Sequence, residues 1–291
     1  MKINYTPMDE YCAEYMRYLG IAKTERRSYA ESVRLLEQAG FREISTFTDL
    51  KAGDKVYRGY EDRTVMAAVI GKKPISEVGL KVVGGHTDAP RLDLKPRPLY
   101  EKGGYVYFDC HIYGGIKKYQ WLVRPLALYG TIVRKDGSKV QVEVGDKDGD
   151  PVFLISDILP HLGYDQAKKT RDEFYPAEDL DVIAWTTYKA PEKKDEDKDE
   201  DKKDDEPKAD KNALVEFLKK TYNVDEEDLL SAELGKMEKG GGGTIAQYMS
   251  RFGMKVLDMG TPLMNMHAPC ELAAKDDIWN TYKAYSAYLR A

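Results

Sequence analysis

The sequence predicts an α/β fold: a mixed sheet flanked by helices, with a separate β-rich module inserted in it. Three observations carry this. Short apolar runs with β-branched residues at 65–70 and 80–83 read as core strands, parted by Gly71-Lys72-Lys73-Pro74. Helical periodicity dominates both ends of the chain, at 8–39 and 270–289. Between them, residues 96–180 change character, with alternating strands punctuated by glycine turns.

Taken in order, residues 8–39 read as one helix. Tyr11, Tyr15, Tyr18 and Leu19 mark one face, and Tyr29, Val33 and Leu36 continue the period. Gly40 ends it as a left-handed cap. In the β-rich stretch, strands are expected at 105–112, 126–134 and 139–144, with turns at Gly103-Gly104, Asp136-Gly137 and Asp148-Gly149. A short helix is expected at 157–162. Residues 192–211 are nearly all Lys, Asp and Glu and read as a mobile, solvated linker, because they bury no apolar area to offset ordering. Residues 213–222 form an amphipathic helix. Gly240–Gly243 give a tight turn before a helix at 244–252; no Lys-Ser/Thr follows, which disfavours a nucleotide loop. A strand is expected at 254–257. The final helix, 270–289, carries Trp279, Tyr282, Tyr285 and Tyr288.

Composition narrows the function. The 291 residues are 42% hydrophobic, enough for one large core or two moderate domains. A net charge of −5 argues against a nucleic-acid surface. No apolar run approaches the ~20 residues that span a bilayer, so no membrane partner is expected. The polar stretch 1–17 is unlike a secretory signal. Cys12, Cys110 and Cys270 are odd in number and far apart, which suits a reduced, cytoplasmic setting rather than a disulfide framework.

The chemistry centres on His86-Thr87-Asp88. Side chains at i and i+2 share one face of an extended chain, so the Asp88 carboxylate can orient the His86 imidazole as a metal ligand. His267, in Met264-Asn265-Met266-His267-Ala268-Pro269, is a second candidate ligand after a strand. Alone, His-x-Asp reads as a structural pair. His111 reads as packed or exposed; His161 is the better functional candidate of those two.

The text around the pair points to chemistry. Gly84-Gly85-His86-Thr87-Asp88-Ala89-Pro90-Arg91-Leu92-Asp93-Leu94-Lys95-Pro96 resembles the first metal motif of the aspartyl-aminopeptidase family of two-zinc exopeptidases. Tyr113-Gly114-Gly115-Ile116 and the stretch 155–162 resemble that family's inserted domain. Residues 232–246, and 262–269 with 282–285, resemble its late catalytic segments. The resemblance implies a zinc-exopeptidase-like fold with catalytic parts at 1–95 and 233–291 and a β-rich oligomerisation domain at 96–232. It implies a zinc metallo-aminopeptidase that removes N-terminal, often acidic, residues from peptides by metal-activated water. His86 and His267 would be metal ligands, Asp88 the orienting carboxylate, and His161 an oxyanion donor to a neighbouring subunit's site.

The family also requires a metal-bridging aspartate, a Glu-Glu pair supplying base and ligand, and a further aspartate ligand. These belong between the inserted domain and the glycine-rich segment, and this chain passes almost directly from one to the other near Ala232–Lys236. An internal deletion is therefore expected there, with at most one weakly bound zinc and impaired activity. Glu226-Glu227 lies upstream of that join and reads as a solvated helix start. The competing readings are a non-catalytic homo-oligomeric assembly module and a weak single-metal binder.

Overall fold

The computed structural model describes residues 7–171, 173–186, 210–228 and 245–291. The chain divides into two compact units. Residues 1–89, 243–266 and 270–291 make the first; residues 90–242 and 267–269 make the second. The fold is mixed α/β, as expected. Most of the predicted linker, 192–209, and Gly240–Gly243 lie outside the described residues.

In the first unit the predicted single helix is two, α1 (Pro7–Ile21) and α2 (Glu25–Gln38). Thr24 breaks it. Its backbone is extended at φ −135°, and its hydroxyl accepts the Arg27 amide at 3.3 Å, capping α2. Gly40 follows α2 at φ +84°, the predicted left-handed position. Tyr18 and Ser28 share a hydroxyl hydrogen bond of 2.6 Å that ties α1 to α2. Three strands follow in the order β1 (Arg42–Glu43), β2 (Lys55–Tyr60), β3 (Thr64–Val69), the first pair parallel and the second antiparallel. The expected strand at 65–70 is β3; β2 was not anticipated. After α3 (Ile75–Val78) and α5 (Ile245–Ser250) comes α6 (Lys275–Arg290). It packs on α1, with Tyr11 against Trp279 and Tyr282 at centroid separations of 5.6 and 4.5 Å. The Lys275 ammonium meets Asp9 at 2.7 Å. The last helix begins at 275 rather than 270, because Leu272 forms a bridge with Met264.

Two expected strands of this unit are absent. Residues 80–83 and 254–257 have apolar, β-branched sequences but join no sheet. A strand is fixed by the hydrogen bonds of its neighbours as much as by its own residues. Among the described residues no neighbour pairs with either run.

Gly59 shows how tightly α2 sits on β2. A β-carbon there would lie 2.1 Å from the Tyr29 hydroxyl and 2.7 Å from its ring. Gly59→Ala should therefore push Tyr29 off the sheet and cost about 1–3 kcal/mol, as overpacking does. Thermal unfolding followed at α2 checks this. An unchanged midpoint would mean that the ring moves aside freely.

The second unit holds β4 (Arg91–Lys102), β5 (Tyr105–Tyr113) and β8 (Val182–Trp185) in one antiparallel sheet, and the hairpin β6 (Leu128–Val133) and β7 (Lys139–Val144) in another. The helix α4 (Lys211–Tyr222) begins at an Asp210 cap, the carboxylate accepting the Ala213 amide at 3.2 Å. Strands β5, β6 and β7 and helix α4 match the predicted elements. The helix expected at 157–162 is instead a turn, where the Leu162 amide donates to Leu159 O at 3.0 Å and Gly163 to Pro160 O at 3.2 Å. Pro160 supplies no amide to carry a helical ladder through the segment.

Burial differs sharply between the units. The second has a continuous core in which Val106, Phe108, Val144, Ile155, Leu180 and Leu214 are each at most 2% exposed. In the first, the buried apolar side chains among the described residues are Cys12, Val56 and Tyr57.

Candidate metal centre

Residues 80–90 leave α3 through Gly79, at φ +70°, and run to the start of β4. His86 stands in this open segment, 73% exposed along its side chain, with Asp88 at 36%. The His86 Nδ1 lies 2.8 Å from the Asp88 carbonyl oxygen and 3.1 Å from Asp88 Oδ1. Both oxygens accept and neither donates, so Nδ1 carries the proton. In a neutral ring this leaves the lone pair on Nε2, the tautomer a metal ligand needs. Spacing alone produces this arrangement, since the carboxylate two residues on reaches back to the ring.

His267 is also exposed, and its backbone adopts φ +64°. This left-handed conformation is uncommon for a residue with a side chain. Its ring lies against Gly115, where a β-carbon would stand 3.4 Å from His267 Nδ1. His267 is grouped with the second unit and His86 with the first. His161 is exposed in the turn at 159–163. Glu226 lies in a short 3-10 turn, Glu226–Asp228, and pairs with the Lys211 ammonium, a solvated end as expected.

One cluster of polar side chains lies outside the residues expected from sequence. On β4 and β5, Arg91 is in register with Tyr113 and Asp93 with His111, so the four share one sheet face. The Arg91 guanidinium bonds Asp93 Oδ1 at 2.6 Å and stacks over the Tyr113 ring at 4.0 Å. His111 is 9% exposed, with Nε2 4.0 Å from Asp93 Oδ2 and, among the described residues, no hydrogen-bond partner on either ring nitrogen. The Arg91-x-Asp93 and His111-x-Tyr113 alternation was the available signal.

Catalytic zinc sites usually take three protein ligands and leave one position for water. Among the described residues no group of three or more His, Cys, Asp or Glu side chains is placed to hold a metal ion. The donor set present therefore does not fit a complete zinc centre.

Comparison with known proteins gives the frame for this set. The family described as aminopeptidase I zinc metalloprotease (M18) matches residues 18–240 and 232–289. The probable M18 family aminopeptidase 1 of Clostridium acetobutylicum is 39% identical over 225 residues, covering 76% of this chain and 45% of that protein. The crystal structure of an M18 family aminopeptidase from Thermotoga maritima is similar at 34% identity and a TM-score of 0.64, with 76% of this chain and 45% of that one covered. The S. cerevesiae mApe1 dodecamer, 19% identical with a TM-score of 0.51, shares the fold. The chain spans about half the length of the curated relatives it matches.

Proposed function

The chain belongs to the aminopeptidase I zinc metalloprotease (M18) family, and from that premise we propose that it is a shortened metallo-aminopeptidase with an incomplete ligand set. Its substrates in this reading are peptides with N-terminal, chiefly acidic, residues. The observation that carries the reading is the two-part family match. Its stretches, 18–240 and 232–289, overlap in this chain although the 225 residues aligned to the Clostridium relative are only 45% of that protein. That overlap supports an internal deletion near Ala232–Lys236, where the central part of the family's catalytic domain would otherwise stand.

In this reading His86 offers Nε2 to a metal, Asp88 holds its tautomer, and His267 is a second ligand. His161 serves a neighbouring subunit. Zinc, when bound, supplies an activated water, but the residues present do not complete its site, so no hydrolytic step is derived for this chain. The segments 1–95 and 233–291 are read as catalytic parts and 96–232 as the assembly domain. The dodecamer described for the yeast protein supports homo-oligomerisation, which this reading assigns to that domain. A non-catalytic assembly module is the second reading, favoured by the core that the second unit holds by itself. Among the described residues no helix is long and apolar enough to cross a membrane. A cytoplasmic setting and the lack of nucleic-acid partners belong to the same proposal.

Zinc titration of the purified chain tests the ligand set. We expect at most one weak site per chain, lost in His86→Ala. Two tightly held zinc ions would overturn the incomplete set, and zinc binding unchanged in His86→Ala would remove His86 from it.

A further inference from the structure

We propose that the Gly114-Gly115 turn at the end of β5 is a positioning element that seats the His267 imidazole and fixes which ring nitrogen it presents. The inference rests on the reading of His267 as a ligand and adds residues to it. His267 has a left-handed backbone at φ +64°. A residue with a side chain is held in that region only where the surrounding structure imposes it, and such places cluster at functional sites. The His267 side chain is exposed, so an unrestrained ring would sample several rotamers. The turn supplies the restraint. A β-carbon at Gly115 would stand 3.4 Å from His267 Nδ1 and 3.9 Å from Cε1, with no other ring atom within 4 Å. The Nδ1–Cε1 edge therefore lies on the turn, and Nε2 is the nitrogen farther from it. His86 presents the same nitrogen by another device, the Asp88 oxygens at its Nδ1.

The two glycines serve different ends. Gly114 sits at φ +74°, a conformation that favours glycine, and a β-carbon there would stand 3.4 Å from Pro90 Cα. Gly115 is not left-handed, so what matters there is the missing side chain, whose place the ring takes. The turn has a firm base. Arg91 is in register with Tyr113, and its guanidinium lies over the Tyr113 ring at 4.0 Å. Pro90, Gly114, Gly115 and His267 all belong to the second unit. The β4–β5 ladder thus carries the turn, and the turn carries the ring.

The test is NMR on the full chain labelled at its four histidines, with His267→Gln to assign the ring. The expected result is a cross-peak between His267 Hε1 and the Gly115 α-protons. Gly115→Val puts two methyl groups where the ring sits, and should abolish that cross-peak and shift the ring signal. Gly115→Ala brings its β-carbon only to contact distance and should keep the cross-peak. The His86 ring signal should move in neither variant, a split that a merely structural glycine would not produce. No cross-peak in the wild-type chain overturns the proposal, and that result decides it even where Gly115→Val fails to fold. A ring signal unmoved in a folded Gly115→Val chain overturns it too. Zinc titration of His267→Ala tests the underlying reading separately. Weaker binding upholds that reading, whereas unchanged binding removes His267 from the ligand set and leaves the seating of the ring standing.

Discussion

Phe108→Ala should lower the stability of the second unit by about 3–5 kcal/mol, the range for truncating a fully buried aromatic. Phe108 lies on the central strand of the β4–β5–β8 sheet and is 2% exposed. Its ring meets Phe153 at a centroid distance of 5.6 Å and an interplanar angle of 57°, a tilted pair that joins the sheet to the segment opposite. The site cannot collapse easily, because a cavity of about 140 Å³ already adjoins it, lined by Leu94, Cys110, Trp121, Leu126 and Val182 among others. Removing the ring enlarges that space, and the surrounding strands are fixed by their ladders. Denaturant unfolding followed by Trp121 and Trp185 fluorescence measures the loss. A cost below about 1 kcal/mol would mean that the second unit repacks freely and lacks the rigid core described.

The elements legible in the sequence were those whose signal is local. Strand β5 reads Tyr105 to Tyr113 with buried and half-buried positions alternating over most of its length, and the period alone finds it. Helix α4 announces itself by an Asp210 cap and an apolar face ending in Leu214 and Leu218. Strand β4 was missed because Pro96 and Pro98 argue against a strand. The structure accommodates them at an edge, with a register shift between Leu94 and Leu99 and Arg97 at φ +54°. The break at Thr24 was legible in principle as a cap, but the tyrosine period ran across it.

The opposite failure is more informative. Residues 80–83 and 254–257 carry sound strand signals, yet neither joins a sheet. Their composition suits a buried, doubly flanked strand, while the flanking partners are not among the described residues. The site divides along the same line. The His86–Asp88 contact, 3.1 Å between Nδ1 and Oδ1, needs only two residues of spacing. Bringing His267 and carboxylates to it requires long-range convergence, which no local pattern encodes.

Peptide turnover should accordingly be slow. We expect this chain, assayed alone with zinc or cobalt on short peptides bearing N-terminal Asp or Glu, to fall short of a full-length M18 relative by at least about 10²–10⁴-fold, the range lost with a general base alone. On the proposed reading the lack of a metal-bridging carboxylate adds to that, since two cations would then repel each other with nothing between them. The control is His86→Ala. Robust turnover abolished by that substitution would show that the ligand set is larger than His86 and His267. The acidic side chains to examine next would be Asp258, and Glu233 and Glu238, which lie outside the described residues. Turnover indifferent to the substitution would locate the activity in another site or another protein. The direction follows from the donor count: His86 and His267 offer a metal two bonds, no group of three or more such donors is placed together among the described residues, and a hydrolytic zinc needs three.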